Sequence, residues 1–359
     1  MAVLACLFVA AQTAVGGPKI EIGEDGWIKL SLLGQPHYKF NDNLGDQDDF
    51  YLRRGRLIFQ GQIADGISLF METDNDKAGM NGAGSVSTDV QDAWVDFRLA
   101  GNDDFEAWVM GGLILLPFSF ENRSSAASLL GIDYNAETIK FVNSFVWRDM
   151  GAEVHGRIGK LMDYRVGIFD GYETDTKNED AELRFCGHVS VNALGEVADG
   201  GWFPSQNRLG KAGSYITLGF GMDSQKDASL GCAVSGDVTN TVVEDADAWV
   251  VDLQSSVDLG GTADLLVNAA YYDWDNAVSG GGGYKGNTAF VETGLVAGGF
   301  MPTFKVSMQE PDSGTDTTDY TVGLNYFIHG QNARAGMEYT WGDTDSTDGQ
   351  VLAGLQFLL

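Results

Sequence analysis

The chain is poor in several residue types that mark other classes of protein. It has 3 Cys and 6 Pro among 359 residues, and 22 Lys and Arg against 51 Asp and Glu, a formal net charge of −29. Three cysteines without a Cys-x-x-Cys pair exclude a disulfide scaffold and the common zinc and haem motifs. So few basic residues also exclude binding to a nucleic-acid backbone, which needs clustered Lys and Arg.

Enzyme motifs are missing as well. The four histidines form no His-Glu-x-x-His pattern, and the sequence has no phosphate-cradling Gly-Lys-Ser/Thr loop and no Gly-x-Ser-x-Gly elbow. Gly280–Gly283 is a loop tip, because no helical pattern follows it. The sequence therefore predicts a protein that is not an enzyme and that has no cofactor.

Long hydrophobic runs are absent too. The longest, 1–11, is about half of a membrane-spanning helix. It has the size of a signal-peptide core, and Val9-Ala10-Ala11 supplies small residues suited to cleavage. No Lys or Arg precedes Lys19, so the positive leader is missing and the start is interpreted as truncated. The prediction is an exported protein with a signal peptide at 1–11 and an N-terminal segment at 12–25.

The dominant pattern from residue 26 onward is alternation with period two. In 351–359 the odd-numbered residues Val, Ala, Leu, Phe and Leu alternate with Leu, Gly, Gln and Leu. Segments of about ten such residues are typical of transmembrane β-strands. The alternation predicts about sixteen strands, near 26–33, 50–60, 65–74, 90–99, 105–115, 150–158, 163–170, 180–191, 213–223, 246–257, 263–273, 288–299, 302–310, 317–328, 332–342 and 349–359.

The predicted connections differ in length at the two ends of these strands. Most periplasmic turns are short, whereas the opposite connections are mostly longer and rich in Asp, Asn, Gly, Ser and Thr, which is typical of outer-membrane barrels. The segment 192–212 is the exception, a long turn that contains Trp202, Phe203 and Pro204. A soluble sandwich or propeller shows the same alternation. The export signal and the loop asymmetry favour an all-β, transmembrane antiparallel β-barrel over 26–359.

Residues 50–121 carry a recognisable pattern. It runs from Phe50-Tyr51-Leu52-Arg53-Arg54-Gly55-Arg56-Leu57 through Phe70-Met71-Glu72-Thr73-Asp74 and Val90-Gln91-Asp92-Ala93-Trp94 to Pro117-Phe118-Ser119-Phe120-Glu121. The pattern resembles the early strands of the phosphate-selective porin O and P family, and the resemblance covers roughly residues 45–175. It implies a sixteen-stranded porin of the Gram-negative outer membrane, in contact with lipid and lipopolysaccharide. The resemblance also implies a homotrimer and a pore loop after the fifth strand.

The chain departs from that family in its charge. Phosphate selectivity in the family depends on a dense ladder of Arg and Lys, and this chain has only 22 basic residues in total. It also has the apolar Leu113-Ile114-Leu115-Leu116 where the family tends to be polar, and it ends in Leu359 instead of an aromatic residue. The resemblance therefore does not lead us to predict phosphate as the solute of this channel.

Inward-facing residues follow from placing the apolar face of each strand in lipid, because a charge at mid-bilayer costs ~2–4 kcal/mol. The longest loop, about 116–149, is expected to fold into the lumen, with its acidic residues opposite the arginines of the wall. Acidic residues on one side of the pore and arginines on the other would create an electric field across it. The alternative is that these charges pair as structural ion pairs. The predicted pore-lining residues are Arg54, Arg56, Asp92, Asp96, Arg98, Glu121, Asp133, Glu137, Arg157, Arg165 and Arg184, with Arg54 and Arg56 at the constriction.

The outer loops are strongly acidic, which should concentrate cations at the channel mouth. Asp74-x-Asp76 and Asp343-x-Asp345 resemble Ca²⁺ ligand spacing but do not complete a twelve-residue calcium loop. The sequence predicts no metal ion, and a Ca²⁺ site at these loops is the alternative.

The sequence thus predicts an outer-membrane porin, a water-filled diffusion channel for ion transport and small hydrophilic solutes, without phosphate selectivity. Two alternatives stay open. One is an anion-selective or phosphate-selective porin that uses the inner-wall arginines. The other is a barrel sleeve for a partner protein such as a cytochrome.

Overall fold

A single antiparallel sheet closes on itself to form the molecule. The computed structural model describes residues 17–41, 47–75, 78–80, 87–102, 104–135, 139, 142, 147–171, 182–195, 213–230, 243–279 and 282–359. Successive strands β2 to β17 pair antiparallel, and β17 pairs back with β2 to close the barrel. The strands are β1 (Lys19–Ile22), β2 (Gly26–Asn41), β3 (Gln47–Ala64), β4 (Ile67–Asp74), β5 (Asp89–Asn102), β6 (Phe105–Leu115), β7 (Arg148–Ile158), β8 (Met162–Phe169), β9 (Arg184–Leu194), β10 (Tyr215–Leu230), β11 (Val243–Gly260), β12 (Ala263–Ser279), β13 (Gly282–Ala297), β14 (Phe300–Pro311), β15 (Thr317–Phe327), β16 (Ala333–Gly342) and β17 (Gln350–Leu358). A short helix, α1 (Phe120–Arg123), follows β6.

Each of the sixteen predicted strands overlaps one wall strand from β2 to β17, so the predicted barrel is confirmed. Several outer connections are shorter than predicted, two of them by most of their length. β2 and β3 continue to Asn41 and from Gln47, and β12 and β13 continue to Ser279 and from Gly282, so the predicted loops 34–49 and 274–287 are mostly strand. The sequence of these extensions is polar and shows no apolar alternation, because a strand that rises above the lipid no longer needs an apolar face.

The two faces of the wall are inverted relative to a water-soluble protein. On β10 the apolar Leu218, Phe220 and Met222 are about half exposed, whereas Thr217 and Asp223, which point inward, are buried. A folded protein in water does not expose a continuous band of large apolar side chains while burying its polar ones. The outer face therefore requires lipid, which rules out the soluble sandwich or propeller.

Aromatic pairs lie at both ends of the outer face. Tyr320 and Trp341 stack with ring centroids 5.7 Å apart near the outer connection of β15. Phe300 and Tyr326 pack at 4.8 Å beside the short turn between β13 and β14. Aromatic belts at the two membrane interfaces are characteristic of outer-membrane barrels.

The seam of the barrel contains both ends of the described chain. β17 pairs with β2 as far as Leu33, and β1 pairs with the remaining stretch of β2 down to Gly26. Leu32 and Leu359 exchange backbone hydrogen bonds of 3.0 and 2.9 Å between these two pairings. The β1 strand, which lies in the predicted N-terminal segment 12–25, thus continues the wall position of β17.

Two sequence predictions fall partly or wholly outside the described residues. The signal peptide at 1–11 is one, and most of the unusual turn 192–212, with Trp202, Phe203 and Pro204, is the other. β9 and β10 on either side of that turn pair regularly, from Leu194 opposite Ile216 to Phe185 opposite Ser224. No helix in the described part of the chain is long and apolar enough to cross a membrane.

Candidate functional site in the barrel lumen

The described part of the segment that connects β6 to β7, residues 116–135, 139, 142 and 147 and here called the lumen loop, lies inside the barrel. Backbone carbonyls of its middle part accept five hydrogen bonds from side chains that point inward from four wall strands. The wall therefore holds the loop on the side formed by β15, β16, β17 and β2, far along the sheet from β6. The hydrogen bonds are Gln35 Nε2 to Ala126 O (2.9 Å), Gln356 Nε2 to Ala127 O (2.9 Å), Arg334 Nη1 to Leu129 O (2.7 Å), Asn325 Nδ2 to Leu130 O (3.0 Å) and Arg334 Nη2 to Gly131 O (3.1 Å).

An aromatic cluster anchors the start of the lumen loop to β12 and β13. The Phe118 ring lies 5.9 Å from Tyr272 and 5.4 Å from Trp274, and Phe120 meets Phe290 edge-on at 6.0 Å. All five rings are buried. Burial of such rings is strongly favourable, so the loop is docked by hydrophobic contact at one end and by hydrogen bonds along its middle.

The helix α1 sends two charged side chains in different directions. Ser119 caps it, since Asn122 N donates to Ser119 Oγ and Ser119 N donates to Asn122 Oδ1 at 2.8 Å. Glu121 lies toward β13, where Asn135 connects it to Glu292. Arg123 lies toward β9, with Nη1 3.4 Å from His188 Nδ1.

Glu121 is packed beside a second carboxylate. Asn135 Nδ2 donates to Glu121 Oε1 at 2.9 Å and to Glu292 Oε2 at 3.3 Å. Burial, and then the charge of Glu292, raise the pKa of Glu121 to about 8. The prediction that the acidic residues of the loop all face the arginine wall is therefore wrong for Glu121, which lies against an acidic part of β13.

Asp133 is the loop carboxylate that does meet the arginine wall. Its Oδ2 accepts from Arg53 Nε at 2.5 Å and its Oδ1 accepts from Arg54 Nη2 at 2.8 Å. Burial opposes ionisation of this carboxyl, but Arg53 and Arg54 hold the pKa of Asp133 well below its usual range. The guanidinium of Arg54 also lies 5.2 Å from the ring centre of Tyr134.

A β-bulge explains why two consecutive arginines reach the same carboxylate. The pairing of β2 with β3 shifts between Gln35 opposite Arg54 and Pro36 opposite Leu52, which leaves Arg53 as the extra residue. A bulge locally breaks the alternation of faces and can re-aim a side chain. Arg53, which alternation alone would place on the face opposite Arg54, therefore contacts the lumen loop together with Arg54.

The predicted lining residues Arg56, Arg165 and Arg184 pair with carboxylates of adjacent strands, and the predicted Asp92 pairs with Arg148 of β7. These are the structural ion pairs that the sequence offers as the alternative to an electric field across the pore. Asp96, also a predicted lining residue, contacts His155 Nε2 at 3.1 Å. The pairs are Arg56 with Glu72 (2.7 Å) and Asp74 (2.9 Å), Arg148 with Asp92 (2.8 Å), Arg165 with Glu153 (2.5 Å), and Arg184 with Asp223.

Two predicted residues lie at the rim with the short turns. Arg157 pairs with Asp163 at 3.2 Å, and both side chains are about a quarter exposed. Arg98 is exposed beside the turn at Gly66, with its guanidinium 5.9 Å from the ring centre of Trp108. Both are predicted to line the pore, and the structure places them at this rim, away from Arg54 and Arg56. Glu137 lies outside the described residues.

The sequence reasoning missed the residues that dock the loop. Tyr272, Trp274 and Phe290 occupy positions that alternate inward on β12 and β13, and a large aromatic residue is out of place in a polar lumen. Three of them together signal a segment packed against that wall. Among the residues that the structure describes, no three His, Cys, Asp or Glu side chains are grouped to hold a metal ion.

Comparison with known proteins agrees with this architecture. Residues 33–204 match the family profile described as phosphate-selective porin O and P. No curated protein matches the chain.

Solved outer-membrane channels share the fold at low identity. OmpF of Salmonella typhi in complex with daunomycin has a TM-score of 0.60 at 12% identity, covering 95% of this chain and 100% of that one. The trimer form of OmpT of Vibrio cholerae has a TM-score of 0.59 at 14% identity, covering 94% and 100%. An anion-selective porin from Comamonas acidovorans has a TM-score of 0.53 at 15% identity, covering 93% and 98%. The barrel is thus of the bacterial outer-membrane type, with an apolar outer face set in lipid.

Proposed function

We propose that this outer-membrane porin barrel is a passive diffusion channel for small hydrophilic solutes and ions that does not select phosphate. The proposal starts from the fold and the family match, which support a channel. Whether the channel selects phosphate is a separate question, and it depends on how the charges of the inner wall are arranged.

The absence of phosphate selectivity is supported by the pairing of the central arginines with carboxylates of the wall itself. Arg56 contacts Glu72 and Asp74, and Arg148 contacts Asp92, with all five side chains almost fully buried. A phosphate ion in the lumen would meet a pair of opposite charges at each of these positions instead of a net positive ladder. The wall therefore offers an oxyanion little attraction along this stretch.

The charge balance of the whole chain also disfavours phosphate. A formal net charge of −29 with acidic outer connections favours cations near the mouth over phosphate. The lumen loop also occupies the interior that a partner protein would need, which argues for a solute channel over a barrel sleeve.

Planar-bilayer recording tests this proposal directly. Purified protein should produce stepwise conductance in KCl, a reversal potential in a KCl gradient that indicates no strong anion preference, and similar currents when phosphate replaces part of the chloride. A strong anion preference with saturable block by phosphate would instead establish the anion-selective alternative. Folded barrels that insert but conduct no ions would defeat the channel itself.

We further propose that the protein is a homotrimer, which the trimer form of the structurally similar OmpT supports. Chemical crosslinking of the protein in outer-membrane vesicles should yield a species of three chains. A crosslinked ladder that ends at the monomer would contradict this.

A further inference from the structure

The seam between the first and last wall strands is interrupted partway along its length. The pairing of β17 with β2 stops at Gly354 and resumes at Phe357. Leu32 and Leu359 exchange backbone hydrogen bonds, so every second residue of β2 from Leu32 onward should point its N–H at β17. Residue 36 is such a position, but Pro36 has no N–H to donate.

The other edge of β2 is irregular at the same level. The register of β2 against β3 shifts between Gln35 and Pro36, where the bulge at Arg53 lies. Leu355, on β17 beside the gap, is an exposed apolar residue of the outer face, which places the gap at the height of the lipid. Since lipid offers no water to satisfy backbone groups, this part of the wall needs other contacts to hold it closed.

Side chains close the gap on both faces of the wall. On the inner face Gln35 Nε2 donates to Gln356 Oε1 at 2.9 Å, directly across the seam. On the outer face the ring of Phe357 fills the space that a Cβ atom on Gly34 would need. Both glutamine side chains are buried. A carboxamide pair and an aromatic ring therefore connect the two strands where their backbone ladder is broken.

The lumen loop lies against the inner side of this carboxamide pair. Gln35 Nε2 also donates to Ala126 O, and Gln356 Nε2 donates to Ala127 O, each at 2.9 Å. The two alanines are consecutive, so a single stretch of loop backbone is bonded to both strands of the seam. Both are buried, and their small side chains let the loop backbone come within hydrogen-bond distance of the wall.

We propose that the lumen loop fastens the barrel seam, with Gln35 and Gln356 as the positioning residues that join it to β2 and β17. The loop then cannot leave the lumen without loosening the wall. It is a fixed constriction of the channel and not a gate that moves aside. The role as a constriction rests on the proposed channel function, whereas the fastening of the seam does not.

Hydrogen exchange of the seam amides tests the part played by the loop. Ala126→Leu leaves every wall residue unchanged but adds bulk where the loop meets the seam, so the loop carbonyls should move away from Gln35 and Gln356. Because a buried donor that loses its acceptor is costly, the open state of the seam should become about tenfold more populated or more. We expect the amides of Gly34 and Phe357 to exchange faster by that factor, measured by mass spectrometry of the protein in detergent.

Two wall variants separate the seam from loop docking in general. Gln356→Ala removes the carboxamide that bonds both the loop and the opposite strand, so it should also accelerate exchange at Gly34 by about tenfold or more. Asn325→Ala is the matched control, since Asn325 Nδ2 donates to Leu130 O at 3.0 Å from β15, whose ladders to β14 and β16 are continuous. It should leave exchange at the seam unchanged.

Seam exchange that stays at the wild-type rate in Ala126→Leu would overturn the proposal, as would equal acceleration by Asn325→Ala and Gln356→Ala. Heat-modifiable migration in gels shows whether each variant is a folded barrel, and Ala126→Val is the milder replacement if Ala126→Leu does not fold.

Single-channel recording adds a readout that a purely structural role of Gln356 would not move. Wild-type channels should hold one conductance level, and Gln356→Ala channels should switch among several, because their constriction is no longer held. Wild-type channels that switch among levels while the seam amides stay protected would show that the loop moves without opening the wall, against the proposal. Hydrogen exchange needs no ion flow, so failure of the seam inference is distinguished from failure of the channel.

Discussion

The backbone carbonyl oxygen of Phe118 fills the space that a Cβ atom on Gly221 would need. Gly221 points inward on β10, and the lumen loop approaches this strand closely because no side chain stands in between. Gly336 and Gly354 leave similar room for Ile132, at 3.0 Å from the Cβ position of each. Inward-facing glycines thus shape a groove in the wall that fits the loop.

Gly221→Ala should loosen the lumen loop. The added methyl group would collide with backbone, which cannot rotate away, and overpacking of this kind typically costs 1–3 kcal/mol. We expect larger and noisier single-channel conductance and a lower midpoint of urea unfolding. Gly111→Ala is the matched control, because the nearest atom to its Cβ position is Gly151 O at 4.0 Å. Identical conductance in wild type and Gly221→Ala would show that the loop does not limit ion flow.

Arg56→Gln should destabilise the barrel with little effect on ion preference. It leaves Glu72 and Asp74 buried without their main counter-charge, and loss of one partner of a buried pair costs about 3–5 kcal/mol. Equilibrium unfolding in urea measures this, and Arg56→Gln with Glu72→Gln should recover part of the loss. Arg157→Gln, from the quarter-exposed rim pair, should cost at most about 1 kcal/mol. Equal destabilisation by both arginine substitutions would contradict the assignment of Arg56 to a structural role.

The barrel could be predicted from sequence because lipid imposes a simple rule on each strand. Leu218, Phe220 and Met222 on β10 alternate with smaller or polar residues, and period two alone fixes which face meets the bilayer. The rule fails where lipid contact ends, so alternation does not predict the outer parts of β2, β3, β12 and β13.

The site could be predicted only in part, because alternation gives the face of a residue but not its partner. Arg54 and Arg56 both point inward, yet one contacts the lumen loop and the other contacts β4, and that depends on the path of the loop. The bulge at Arg53 has no sequence signal of its own. The acidic environment of Glu121 likewise follows from the loop lying against β13, a contact between segments far apart in the chain.

Val322→Arg tests the assignment of the outer face to lipid. Val322 points outward near the middle of β15 and is 43% exposed, so an arginine there would face hydrocarbon at a cost of about 2–4 kcal/mol. Thr318→Arg, near the outer end of the same face, should cost about 1 kcal/mol or less, because the penalty falls toward the interface. Urea unfolding in lipid vesicles measures both. Equal costs at the two positions would contradict the placement of β15 in the bilayer.

Glu121 should make the stability of the folded barrel depend on pH. Its pKa is raised from 4.5 to about 8, first by burial and then by Glu292, so the native state keeps a proton that the unfolded chain releases. The stabilisation is fully present below about pH 4.5, declines as the pH rises, and is lost above about pH 8. Urea midpoints of wild type and Glu121→Gln should therefore diverge across this window, with the variant less sensitive to pH. Glu106→Gln, an inward glutamate of β6 opposite Arg157, is the control and should follow the wild type. A Glu121→Gln variant that keeps the full pH dependence of the wild type would show that the proton resides elsewhere.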